Sequence, residues 1–194
     1  MCSRRSPLPG QRRGRAGPIP RGDWLSGRLP GKGETMAGKT LVAYYTHSGN
    51  TEKIAQQIAR QTGGTLLRVL PEQAYPEEYD AVVEQAKKEI LQGYRPKLLS
   101  QVGSLQEYDT VFVGSPNWWS TIAPPIATFL EGQDFTGKKV APFCTHGGGG
   151  MAELERDTLA LCPGCQPCAG FAIYGDGGDG AEEKVAAWLK NIGV

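Results

Sequence analysis

Three short segments group side chains in ways that suit an anion and a flat ring. The first, Thr46-His47-Ser48-Gly49-Asn50-Thr51, gathers hydroxyls, a glycine and an asparagine just ahead of a helical pattern. A helix N-terminus presents unpaired N–H groups and about half a positive charge, which makes it a phosphate site. No lysine or arginine lies within the segment, so neutral donors would hold the anion. The same residues also suit an ordinary N-cap with Ser48 or Thr51 as the capping side chain. The second, Gly114-Ser115-Pro116-Asn117-Trp118-Trp119-Ser120, sets adjacent tryptophans in a polar loop. Indoles there are costly unless they cover something, and stacked aromatics gain about 0.5–1.5 kcal/mol beyond area burial. Packing of both on the following helix, near Pro124 and Pro125, is the alternative. Neighbours in an extended loop diverge, so one of the pair is expected to face a ligand. The third, Thr145-His146-Gly147-Gly148-Gly149-Gly150, frees the backbone to approach a ring closely and to aim N–H groups at it.

These segments need a scaffold that brings them together, and the chain from residue 38 onward supplies one. Continuous apolar runs at 41–45, 66–70, 111–113, 140–144 and 171–174 have the length and lack of alternation of strands buried on both faces. Helical segments alternate with them at 51–61, 77–91, 122–131, 151–161 and 181–191. In the first of these Ile54 and Ile58 sit four apart, with Lys53, Gln56 and Gln57 free to face solvent. Fivefold strand–helix alternation predicts an α/β fold with a doubly wound, five-stranded parallel sheet and right-handed crossovers. Ligands bind such sheets beyond the carboxyl ends of the strands. All three segments directly follow a strand, and that coincidence outweighs any one of them.

The 194 residues, 39% hydrophobic and 21% charged, suit one domain with a real core. The formal net charge of +1 hides an asymmetry. Residues 1–35 carry eight basic side chains against Asp23 and Glu34, while the remainder carries 13 basic and 18 acidic groups. A basic arm thus precedes an acidic domain, which argues against nucleic-acid binding by the folded part. The arm over 1–37 is rich in Arg, Pro, Gly and Ser, without periodicity, and is read as disordered. A mis-assigned start ahead of Met36 accounts for it; a tail for nucleic acid or an anionic surface is the alternative. The folded domain is expected over 38–194. No apolar run approaches the roughly 18 residues of a membrane span. Ser3-Arg4-Arg5 is followed by no apolar core of the kind an export signal needs. Five cysteines, an odd number, indicate reduced thiols and a cytoplasmic setting.

With these residues in view the chain resembles the flavodoxin family. Tyr44-Tyr45-Thr46-His47-Ser48-Gly49-Asn50-Thr51, Gly114-Ser115-Pro116-Asn117-Trp118-Trp119 and Pro142-Phe143-Cys144-Thr145-His146-Gly147-Gly148 are similar to the branch of small flavodoxin-like proteins that share an Asn-Trp-Trp motif. The likeness covers nearly all of residues 40–194. It implies strand order 2-1-3-4-5 in a three-layer α/β/α arrangement, with FMN as cofactor. It assigns the FMN phosphate to Thr46, Ser48, Gly49, Asn50 and Thr51. It assigns the isoalloxazine ring to Pro116, Asn117, Trp118 and Trp119 on one side and to Thr145, His146, Gly147 and Gly148 on the other. His47 stands where relatives are often basic or hydroxylic, so no direct role is carried over to it. The six residues between the last strand and last helix resemble the short-chain form.

Four other patterns carry less weight. Residues 33–40 fit the Walker A spacing, but an unstructured arm precedes them and a strand follows, the reverse of what that loop needs. Residues 175–180 fit the dinucleotide fingerprint, yet no later strand supplies the acidic residue that holds a ribose. They are read as a turn after the fifth strand. Cys162, Cys165 and Cys168 invite a metal or dithiol reading; zinc would need Cys144 or His146 as fourth ligand, and small buried hydrophobes are the plainer account. No metal is expected. Cys144 and His146 lie two apart at a strand end, but no third group orients them, so neither is assigned as nucleophile or base.

The expected function is FMN-dependent electron transfer with a redox partner protein. An FMN-dependent oxidoreductase taking electrons from NAD(P)H to quinones or similar acceptors is the first alternative. A flavin-free binding or regulatory module is the second. An acidic domain and a phosphate loop without cations predict a second reduction potential below that of free FMN. The long crossover from Pro71 to Asp109 offers Tyr75, Tyr94 and Arg95 as roof residues.

Overall fold

A computed structural model describes residues 38–99 and 103–194. The basic arm, with the first part of the Walker-like pattern, lies outside the described residues. Six strands and five helices follow in the order β1 (Thr40–Tyr44), α1 (Asn50–Thr62), β2 (Thr65–Arg68), α2 (Tyr79–Leu91), β3 (Thr110–Pro116), α3 (Pro124–Glu131), β4 (Lys139–His146), α4 (Leu154–Ala160), β5 (Gln166–Pro167), β6 (Phe171–Tyr174) and α5 (Ala181–Asn191). All strands are parallel, in the order β2-β1-β3-β4, and the fifth place beside β4 is shared by two short pieces. β5 pairs with Lys139 and Val140 at the start of β4, and β6 pairs with Phe143 to His146 at its end. This is the flavodoxin-like 2-1-3-4-5 sheet. The expected fifth strand, 171–174, is β6; β5 is an additional short piece ahead of it, and between the two the Ala169 carbonyl accepts from Trp188 Nε1 at 2.8 Å.

Alternation along β1 shows how the sheet divides the core. Leu41, Ala43 and Tyr45 point to a layer with Val82 of α2, Ile126 and Leu130 of α3 and Leu154 of α4. Val42 and Tyr44 point the other way, to Ile54 and Ile58 of α1 and Val185 and Leu189 of α5. Both faces of β1, β3 and β4 are therefore covered, as their apolar runs predict. β2 departs from that expectation. It is the edge strand, mostly exposed, with Leu66 42% accessible.

Local chemistry sets the helix ends. Ile54 and Ile58, each fully buried, anchor α1 with about 1.5–3 kcal/mol apiece. Gly63, left-handed at φ 67°, closes it by donating to Ala59 O. α2 begins two residues later than the apolar pattern suggested, because the Glu78 side chain accepts from Ala81 N–H and so caps it. α3 starts at Pro124, a residue suited to the first turn. Among the described residues no helix is long and apolar enough to cross a membrane.

Candidate functional site

At the carboxyl ends of β1, β3 and β4 the three loops meet around a cavity of about 610 Å³, within the range of about 300–1,000 Å³ usual for small-molecule sites. Of the residues expected there, Ser48, Asn50, Pro116, Asn117, Trp118, Trp119, Thr145, His146 and Gly147 line it. Thr46, Gly49, Thr51 and Gly148 are absent from the lining and shape the loops behind it.

The first loop leaves the helix end open. Gly49, left-handed at φ 89°, is the N-cap of α1, and no side chain caps the helix. Neither Ser48 nor Thr51 takes the capping role considered for them. Thr46 Oγ1 instead accepts from Gly49 N–H at 3.0 Å, which folds the loop tightly. Thr51 Oγ1 meets Thr145 Oγ1 at 2.9 Å, both buried, and joins the first turn of α1 to the end of β4. The first-turn N–H groups thus keep their donors for a ligand.

The second loop is a tight reversal. Trp118 and Thr121 exchange both backbone hydrogen bonds at 3.1 Å, with Trp119 (φ 52°) and Ser120 (φ 69°) between them in left-handed conformations. Two positive φ values in a row make a type I′ turn, which normally calls for asparagine and glycine. Placing other residues there costs about 1–3 kcal/mol each. The contacts that hold it are explicit. Trp119 Nε1 donates to Val83 O of α2 at 3.0 Å, and the Lys87 ammonium sits 4.7 Å over its ring. Asn117 locks the turn to the glycine loop: its Nδ2 donates to Gly150 O at 2.8 Å, and its Oδ1 accepts from Ser120 N–H at 3.0 Å. Its own N–H donates to Thr145 O at 2.9 Å.

The paired tryptophans do different work, and neither packs as the bland alternative proposed. Trp118 stands edge-on to Tyr75 (4.9 Å between centroids), Tyr45 (5.5 Å) and His47 (6.0 Å). Trp119 is 49% exposed and reaches across to α2. Both line the cavity, whereas one had been expected to. Burial, and then the Glu89 carboxylate it donates to, push the Tyr75 hydroxyl well above its ordinary range. His47 is held by Pro76 O at 2.7 Å.

In the third loop His146 Nδ1 accepts from Gly148 N–H at 3.1 Å, which puts the proton of a neutral ring on Nε2. A Cβ added to Gly147 would meet nothing within 4 Å, so this backbone is open to close approach. Cys144 does not join His146 in chemistry. Its Sγ is buried toward Gly150 O, and burial pushes the thiol up to about 12.

Two parts of the site escaped the sequence reading. Tyr79, Val82, Val83 and Ala86 of α2 form one wall, and Tyr174 with Gly175 forms another. Tyr174 ends a strand, so the strand-end rule that found the other loops applies to it as well. The α2 wall shares its helical stripe with core residues Val82 and Ala86, and periodicity alone does not separate the two uses. Conversely, Tyr94 and Arg95 do not roof this cavity. They line a separate one of about 300 Å³, where Glu131 holds the Arg95 guanidinium at 2.7 Å. The lining of the main cavity contains no Lys, Arg, Asp or Glu. Among the described residues no group of three His, Cys, Asp or Glu side chains is placed to hold a metal.

The fold recurs in known proteins. The family model described as Flavodoxin matches residues 39–192. A crystal structure from Bacteroides uniformis, of a protein described as a flavoprotein, is 34% identical with a TM-score of 0.71, covering 79% of this chain and 98% of that one. One from Bacteroides eggerthii, described in the same way, is 30% identical with a TM-score of 0.71, covering 80% and 98%. A flavoprotein from Lactobacillus acidophilus, solved in complex with FMN, shares the fold at 24% identity and a TM-score of 0.61, covering 78% and 98%. With its strand order, its loops and these matches taken together, the chain belongs to the flavodoxin family.

Proposed function

We propose that the chain binds one FMN in the 610 Å³ cavity and serves as an electron-transfer flavoprotein. The observation that carries this reading is the convergence of an uncapped helix N-terminus, an indole pair and an open glycine backbone on one uncharged cavity. The residues fit the group. The first-turn N–H groups of α1, with Ser48 and Asn50, hold the phosphate by neutral donors, backed by Thr46, Gly49 and Thr51. Trp118, Trp119, Pro116 and Asn117 bound the ring on one side; Thr145, His146 and Gly147, backed by Gly148, bound it on the other. FMN, when bound, supplies reversible transfer of one or two electrons. His146, whose Nδ1 accepts from Gly148 N–H, would offer Nε2–H as a donor, and Val82, Val83 and Ala86 of α2 give the cavity an apolar wall. Asn117, Trp118 and Trp119 support assignment to the branch of small flavodoxin-like proteins that share an Asn-Trp-Trp motif.

The partner is a redox protein or NAD(P)H. The enzyme reading, in which NAD(P)H reduces the flavin for quinones or similar acceptors, draws on one feature. Tyr79 (77% exposed) and Tyr174 (69%) stand at the cavity mouth, where planar donors and acceptors can stack. Purified protein titrated with FMN should show a bound-flavin absorbance spectrum and a raised melting temperature. Riboflavin, lacking the phosphate, should bind at least tenfold more weakly. Equal affinity for both would remove the phosphate assignment, and a colourless, unresponsive protein would remove the whole reading. Anaerobic NADPH then separates the roles: bleaching by NADPH alone marks the enzyme, and bleaching only with an added reductase marks the carrier.

A further inference from the structure

Beyond the end of α4 the chain reverses through Cys162-Pro163-Gly164-Cys165. Cys165 N–H donates to Cys162 O at 3.2 Å, and Gly164 is left-handed at φ 75°. Proline in the second position and a positive φ in the third define a type II β-turn, whose end Cα atoms lie within about 7 Å. Disulfides span Cα separations of about 4.4–6.8 Å. The turn is held from outside, for Gly137 N–H donates to Gly164 O at 2.9 Å and Gln166 N–H to Lys138 O at 2.8 Å. The backbone of this turn therefore brings its two ends within the Cα range of a disulfide. Cys168 is a poorer partner for Cys165. The intervening Gln166 and Pro167 are extended as β5, and three extended residues span about 10 Å with side chains on opposite faces.

We propose that Cys162 and Cys165 form a redox modification site, closing to an intrachain disulfide by exchange with a low-molecular-weight disulfide. Cys162 is buried and Cys165 half-buried, so Cys165 reacts first. Its thiol gives its proton to solvent, and the thiolate attacks one sulfur of the small disulfide, expelling one small thiolate that takes up a proton. Cys162 then loses its proton and attacks the Cys165 sulfur, expelling the second small thiol. The protein loses two electrons and two protons, the small disulfide gains both, and no other reagent takes part. Burial raises both thiols, Cys162 to about 12 with the Cys165 sulfur adding to it. Thiols that hold their protons this firmly are poor leaving groups, so the bridge forms slowly and resists reduction once made. The turn adjoins the start of β4, through Lys138 and Lys139, whereas the cavity takes Thr145 and His146 from its far end. The pair therefore stands apart from the flavin reading and does not depend on it.

The test is incubation of the full chain with oxidised glutathione, followed by alkylation of free thiols, intact mass and peptide mapping. The expected product is lighter by two hydrogens, maps to a Cys162–Cys165 bridge, and reverts with dithiothreitol. Cys168→Ala should still form it, and Cys165→Ala should not, with melting curves confirming that both variants fold. A lasting glutathione adduct on Cys165, a bridge from either cysteine to any other, or an unmodified turn after prolonged incubation would each overturn the proposal. The wild-type map decides the matter even if a variant fails to fold.

Discussion

Asn117→Ala tests whether the cavity is held as one unit. The Asn117 amide makes two side-chain hydrogen bonds that join the tryptophan turn to the glycine loop, at 2.8 Å to Gly150 O and 3.0 Å from Ser120 N–H. Each such bond contributes about 0.5–1.5 kcal/mol, so their joint loss amounts to about 1–3 kcal/mol. The Trp119–Ser120 turn is also strained, and without Asn117 it is left to the Trp118–Thr121 pair, the Ser120 O contact from Glu153 N–H, the Trp119–Val83 bond, the Lys87 contact over Trp119 and the Thr121–Asp157 bond. If the freed turn leaves its binding geometry, FMN binding must restore it, and the cost appears in Kd. At about 1.4 kcal/mol per tenfold, the dissociation constant should rise about 5- to 150-fold. Flavin fluorescence quenching on titration measures it directly. Asn117→Asp keeps the acceptor for Ser120 but loses the donor to Gly150, and should fall between wild type and Asn117→Ala or below. If Asn117→Ala binds FMN within twofold of wild type while melting normally, the two loops are not coupled through this side chain and the reasoning fails.

Other expectations follow from packing and charge. Gly114→Ala would set a Cβ inside the buried Phe143 ring, 2.6 Å from Cε2, and should cost about 3 kcal/mol, or about 6–12 °C of melting temperature. Phe143→Leu in the same chain should recover at least about 1 kcal/mol of that; simple additivity would refute the clash. Burial, then Glu52, raises the Tyr44 hydroxyl to about 12, and burial raises Tyr45 as well. Both are neutral in the fold, so their contribution is complete below about pH 10, where unfolded tyrosine begins to ionise, and drains away as pH climbs toward 12. Denaturant unfolding should therefore show a loss of about 1 kcal/mol or more between pH 9 and 11, smaller in Tyr44→Phe; an unchanged midpoint counts against it. Finally, with no cation in the lining, the second reduction potential of the bound flavin should lie below that of free FMN by redox titration, and a value at or above it refutes the electrostatic account.

Apolar runs without alternation placed five strands, and their spacing placed all five helices to within a few residues. The strand-end rule then singled out the loops at 46–51, 116–119 and 145–148. β2 was misjudged because an apolar run does not say whether a neighbour covers it, and Leu66 lies at the sheet edge. The short β5 went unread because Gln166 and Pro167 form no apolar run, and a two-residue piece leaves no period to detect. At the site, loop residues were legible because glycines, hydroxyls and indoles are conspicuous where they serve no core. The α2 wall was not, since Val82 and Ala86 serve core and cavity together. Tyr94 and Arg95 were misplaced for a simpler reason: a long crossover specifies that something lies above the sheet, but not which of its residues turns toward which hollow.

The Thr51–Thr145 hydrogen bond joins residues 94 apart in the chain. Read along the folding reaction, that separation sets when the pocket can exist. Closing so long a loop is entropically costly until the intervening strands have docked, because distant contacts must await the ones between. A nascent chain that has emerged only as far as α3 holds the phosphate-type loop and the tryptophan turn but lacks the later walls. The cavity therefore arrives late, when β4 and then β6 with Tyr174 and Gly175 are in place, and a ligand that binds it acts as a clasp on the finished sheet rather than as a seed for it.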